Sequence, residues 1–227
     1  MKMIILALLA MLSGLAGTGM CEMVKIPAVE DVYLDIDNES VHNSEILRCA
    51  YDAFDSETGK STTMSMLKFN ISDLDMAEDD IGVLVLKVNY REKGSDEPAA
   101  VVLLPVDSGW SEGSSYAVFV NSLNSVMKSD SIDFGNTGTI FDHGKKVFAF
   151  DVSSILLKSD DDLISFLLIS NGDTDYLVDF CSGETGEGPY LLVIPYPSEE
   201  EAFAGDGAMA GMGPTEATPT EGSSETG

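Results

Sequence analysis

Positive charge is scarce in this chain of 227 residues: 12 Lys and Arg stand against 39 Asp and Glu, a net charge of −27. That balance excludes DNA, RNA and anionic membrane surfaces as partners, since each needs clustered cations to replace the counterions it gives up. It also argues against unaided affinity for a polyanionic sugar, and it fits a soluble protein in a saline or crowded exterior. Histidine is limited to His42 and His143, neither with cysteines at zinc spacing. No Gly-x-Ser-x-Gly nucleophile elbow occurs, and no pair of carboxylates is singled out for glycosidase chemistry. The expectation is a protein that is not an enzyme. The only long apolar run, Ile4 to Gly17, is too short to cross a bilayer comfortably.

That run follows a single Lys and precedes small residues, the pattern of a secretory signal peptide over residues 1–21, with cleavage after Gly19 or Cys21. No membrane span is expected once it is removed. A lipoprotein reading of Cys21 meets a poor lipobox in Thr18-Gly19-Met20. At the other end, residues 198–227 hold seven acids, no basic residue and much Gly, Ser, Thr and Pro; such a segment cannot bury a core and reads as a disordered acidic tail. Residues 22–197 remain for one domain with a sizeable core. Two cysteines certainly remain there, Cys49 and Cys181, so one disulfide is allowed in an exported protein. Their parity speaks against it, because Cys49 shares a face with Leu47 and Tyr51 and Cys181 with Leu177 and Asp179. The pairing stays open.

Within the domain, period-2 alternation recurs. Phe148, Phe150 and Val152 share a face; so do Ile164, Phe166 and Leu168, and Tyr176, Val178 and Phe180. Upstream, strands are expected at Asp31–Asp35, Ile46–Tyr51, Met64–Ile71, Ile81–Arg91, Ala99–Val106 and, shorter, Tyr116–Val120, with a weak one near Thr139–Phe141. Tyr90 is in phase with Leu84, Leu86 and Val88 and reads as core. Pro105 suits an edge strand or a strand end. Ser153–Lys158 reads as a single helical turn, and Tyr190–Pro195 as the last strand. Nine or ten short strands without internal repeats predict an all-β fold: a single two-sheet antiparallel β-sandwich, jelly-roll-like.

Three segments, in order, resemble the DNRLRE domain, also classed as carbohydrate-binding module family 96 and related to archaeal disaggregatase-like surface proteins. Met66-Leu67-Lys68-Phe69-Asn70-Ile71-Ser72-Asp73-Leu74 is similar to its LLKFDLSSL segment. Asp107-Ser108-Gly109-Trp110-Ser111-Glu112 with Tyr116 resembles its Trp-Ser/Thr-Glu segment, Tyr replacing a second Trp. Phe150-Asp151-Val152-Ser153, then Asp179-Phe180-Cys181-Ser182-Gly183-Glu184 with Pro189-Tyr190-Leu191, resemble its closing strands. The resemblance covers about Asp31 to Pro195 and implies a secreted β-sandwich that binds polysaccharide, in several members beside a catalytic domain. No catalytic domain is expected within these 227 residues, and basic residues to grip a uronic-acid polymer are few.

Trp110 is the one tryptophan, and an exposed indole can stack on a sugar ring; the other reading makes it a plug closing a loop against the sandwich. Tyr116 carries the same ambiguity. Asp31, Asp35 and Asp37, with Glu39 near, offer oxygens for a structural Ca²⁺ without matching an EF-hand loop. Asn38-Glu39-Ser40 and Asn70-Ile71-Ser72 are N-glycosylation sequons, Asn70 pointing away from the Leu67/Phe69/Ile71 face. Two functions follow as expectations: a secreted or cell-surface, non-catalytic module binding a polysaccharide of the envelope or matrix, or a structural or adhesive surface subunit that packs against itself or other surface proteins.

Overall fold

The computed structural model describes residues 23–55, 59–91, 101–127, 147–170 and 176–196. The segments expected as signal peptide and acidic tail, the weak strand expected near Thr139, and His143 lie outside them. Ten strands run antiparallel: β1 (Val24–Asp35), β2 (Ser40–His42), β3 (Ile46–Asp55), β4 (Gly59–Asn70), β5 (Ile81–Arg91), β6 (Val101–Val106), β7 (Val147–Asp151), β8 (Leu163–Ser170), β9 (Tyr176–Cys181) and β10 (Tyr190–Ile194). Two helices, α1 (Tyr116–Met127) and the single turn α2 (Ser153–Leu156), complete the described elements with a 3₁₀ turn at Gly183–Thr185. The fold is all-β, as the alternation predicts.

The strand path is β2-β1-β10-β5-β9-β3-β4-β8-β6, with β7 on β5 and an additional pairing of β1 with β4. Two strands serve both layers of the sandwich. β1 pairs with β10 from Val24↔Val193 to Pro27↔Tyr190, then with β4 from Ala28↔Phe69 to Asp35↔Thr63, and the register shifts between Ala28 and Glu30. β5 pairs with β10 and β7 through its first half and with β9 near its end, the register shifting between Val88 and Tyr90. Such irregularities bend a strand and let it turn from one layer into the other. The second shift also explains why Tyr90, in phase with the core by sequence, is 54% exposed.

The space between the layers is filled by Leu47, Cys49, Leu67, Phe69, Leu84, Leu86, Phe148, Phe150, Phe166, Val178, Phe180 and Leu191, all buried. A second cluster lies on the opposite face of the β4-β8-β6 region: Val32, Leu34, Met66, Val102, Leu104, Trp110, Phe119 and Leu167. α1 contributes Phe119 to it, with Tyr116, Val118 and Leu123 packed around. Covered on both faces, β6 reads as a continuous apolar run up to Leu104, and β8 is buried from Ile164 to Leu168, Ser165 included. β6 ends the strand path, which is where its Pro105 is tolerated.

α1 corrects the expectation of a strand at Tyr116–Val120. In that run every residue but Tyr116 is plainly apolar, so its alternation carries no information. The informative spacing is Tyr116, Phe119 and Leu123, which reaches past Val120 and lays one helical face on the second cluster.

Gly188 closes the loop after the 3₁₀ turn at the closest backbone approach described. A Cβ there would lie 2.6 Å from both Cα and N of Gly183. Gly188→Ala should lower the urea midpoint with an unchanged m-value, a loss of about 2–3 kcal/mol. Gly113→Ala, with nothing within 4 Å of its Cβ, serves as the neutral control; equal midpoints for the two variants would show that the approach is not constraining.

Candidate functional site

Trp110 is 2% exposed. Its ring lies 5.4 Å from that of Phe119, and Lys68 Nζ stands 4.5 Å from its centroid. Lys68, itself buried, donates to the Trp110 carbonyl oxygen and to the Glu30 carboxylate. A cation over an indole in a water-poor setting is a strong contact, and it fixes the loop after β6 to the sheet. The indole faces Phe119 and Lys68, not solvent, so Trp110 is the plug and offers no platform for a sugar.

Tyr116 remains half-buried at the start of α1. Burial raises its phenol pKa, and the nearby charges of Glu39, Asp35 and Asp37 raise it further. These carboxylates belong to the turn between β1 and β2, which is braced from within. Asp35 Oδ1 accepts from the backbone N–H groups of Asp37 and Asn38, each at 3.1 Å, and its Oδ2 accepts from Asn38 Nδ2 at 2.8 Å. Asp37 Oδ2 accepts from Thr62 N at 2.7 Å, and Glu39 adopts φ 49° at the end of the turn. Beside it, the rings of Tyr33 and His42 stack at 4.4 Å and 6°, and Ser40 Oγ is 2.9 Å from His42 Nε2. The Tyr116 ring and the exposed acids Asp37 and Glu39 lie near one another here, and an aromatic ring with exposed acceptors is a combination that a polyhydroxylated ring can engage.

The expected grouping of Asp31, Asp35 and Asp37 does not form. Asp35 and Asp37 are spent on the turn, while Asp31 sits at the bend of β1, where its Oδ2 accepts from Gly183 N at 2.8 Å. Among the described residues, no three His, Cys, Asp or Glu side chains are gathered as they stand around a metal position. Asp31 is 3% exposed, and burial pushes its carboxyl up to about 6; the Gly183 backbone N–H and the Ser182 hydroxyl oppose this, and the charges of Glu184 and Glu112 add to it. Sequence reasoning passed over Glu112 and Glu184, although each ends one of the motifs that carried the resemblance.

The disulfide does not form either. Cys49 and Cys181 are free and buried. Cys49 pairs with Val178 and faces the core, where its Sγ donates to Leu168 O at 3.5 Å; Cys181 pairs with Ile46, three residues along β9 and therefore on the opposite face. Burial pushes the Cys49 thiol up to about 12 and also raises that of Cys181. The outer face of this strand pair is tied instead by Arg48, whose Nε and Nη2 donate to the two Asp179 oxygens at 2.8 and 3.1 Å. Asn38 and Asn70 are both exposed, and Asn70 Oδ1 accepts from Ser72 N at 3.0 Å.

Two measurements check these assignments. Cys49 should resist alkylation in the folded protein, and both Cys49 and Cys181 should alkylate on denaturation without reductant; mass spectra showing a Cys49–Cys181 cross-link would overturn the reading. For Asp31, a folded pKa above the unfolded 3.8 means stability that is full below about pH 4 and lost as pH rises through about 6. With divalent cations chelated, Asp31→Asn should therefore gain on wild type between about pH 4 and pH 7, by up to about 3 kcal/mol. A difference that does not vary with pH would contradict it.

No family model and no curated protein matches the chain.

Proposed function

We propose that this chain is a non-catalytic carbohydrate-binding protein of the cell exterior, taking a neutral glycan across Tyr116 and the turn from Asp35 to Glu39. The observation that carries the reading is the half-buried phenol beside a braced turn whose exposed acids, Asp37 and Glu39, stand near it. Ring stacking supplies affinity, and fixed acceptors select hydroxyl donors without ordering cost at binding. The surplus of acid supports a neutral or amino sugar over a uronic-acid polymer. The resemblance of the Leu67–Leu74, Trp110–Glu112 and Asp179–Leu191 segments to the DNRLRE domain supports the same class, and an export signal at residues 1–21 fits a secreted or surface location.

The test is a glycan screen of the protein against neutral, amino and uronic-acid polysaccharides, followed by titration of the best binder. Tyr116→Ala should weaken binding by about tenfold or more, at about 1.4 kcal/mol per factor of ten, and Tyr116→Phe by less. Saturable binding unaffected by Tyr116→Ala would place the site elsewhere. No binding, together with concentration-dependent oligomers in light scattering, would favour a structural surface subunit instead.

A further inference from the structure

Three segments remote in sequence bring carboxylates to the bend of β1. Asp31 Oδ1 is buried and has no hydrogen-bond partner among the described residues, its Oδ2 being taken by Gly183. A carboxylate oxygen withdrawn from water without a donor is costly. What stands near it is further negative charge. Glu112 Oε1 accepts from the Asp31 backbone N–H at 3.3 Å, and its Oε2 from Asn43 Nδ2 at 2.8 Å. Glu184 follows Gly183 directly and accepts from the buried Ser182 hydroxyl. Ion pairs among the described residues join Arg48 to Asp179, Lys68 to Glu30 and Lys87 to Glu187, and none reaches this corner. Asp31 and Glu112 are held by backbone and side-chain bonds, whereas Glu184 is exposed on a three-residue 3₁₀ turn.

We propose that this corner is a calcium site: Asp31 Oδ1, Glu112 and a Glu184 carboxylate swung off Ser182 supply oxygens to one Ca²⁺, with the Ser182 hydroxyl and water completing the shell. The swing of Glu184 is required, because the three carboxylates do not converge as the side chains stand. Calcium accepts six to eight oxygens in an irregular shell, whereas magnesium demands a near-ideal octahedron. Carboxylates from three separate segments, one of them adjustable, suit the former. The bound ion would give Asp31 Oδ1 the partner it lacks and join β1, the loop after β6 and the turn after β9 at one point.

The experiment is calorimetric titration and thermal unfolding of the full chain with CaCl₂, in about 0.15 M KCl to screen diffuse attraction to the acidic surface. One Ca²⁺ should bind at this corner and raise the melting temperature by about 5 °C or more at saturation, with MgCl₂ far weaker. Glu184→Gln, an exposed change that leaves the fold intact, should weaken Ca²⁺ by tenfold or more, and Asp31→Asn should abolish it. Asp79→Asn, an exposed acid on another loop, should leave it unchanged. No calcium-dependent shift, or an equal shift in all three variants, would overturn the site and leave only diffuse binding to surface acid.

Discussion

β1 hydrogen-bonds to β10 through residues 24–27 and to β4 through residues 28–35, so the two layers cannot slide or separate without breaking one strand's pairing. β5 makes the same transit on the other side. Together they close β1, β10, β5, β9, β3 and β4 into a ring around the inner core. Among the described strands, closure leaves the ends of the pairing path to β2, β6 and β7. The irregular register at Ala28–Glu30 that permits the transit also turns the chain at Asp31, which is why a carboxylate from a strand interior meets the turn after β9. Core architecture and the acidic corner share one cause.

Much of this was legible. Leu67/Phe69, Phe148/Phe150, Ile164/Phe166/Leu168 and Val178/Phe180 alternate in sequence and line the inner core, because a half-buried strand must place like residues at every second position. Pro105 marked a strand at the end of the path for an equally local reason. Where the alternation was uninformative, the reading failed. Tyr116–Val120 is apolar on every side, and only Leu123 beyond it reveals a helical face. Tyr90 was misplaced because one register shift inverts the phase, and no residue type announces such a shift.

The site residues divide by how local their determinants are. The braced turn from Asp35 to Glu39 is written in adjacent Asp and Asn residues, which hydrogen-bond to their own backbone. The fate of Trp110 is not local: it depends on Lys68 and Phe119, which topology alone brings to the ring. The same holds for Asp31, Glu112 and Glu184, three acids among 39 until the fold brings their segments to one corner. The cysteines show the opposite. Their parity, counted along two strands, already spoke against a bridge, and the register of β3 with β9 gives the reason.

The pairing of Val24 with Val193 also dictates when the protein can fold. Of its three partners, β1 finds β10 only after nearly the entire domain has been synthesised. Contacts so distant along the chain demand a large loop-closure entropy before any burial is gained, which slows folding and makes it cooperative. Until β10 emerges, the amino-terminal third of β1, Val24 to Pro27, has no strand partner among the described residues and the ring stays open. The last strand to be made is therefore also the one that locks the first, so closure of the ring and completion of the domain are a single event.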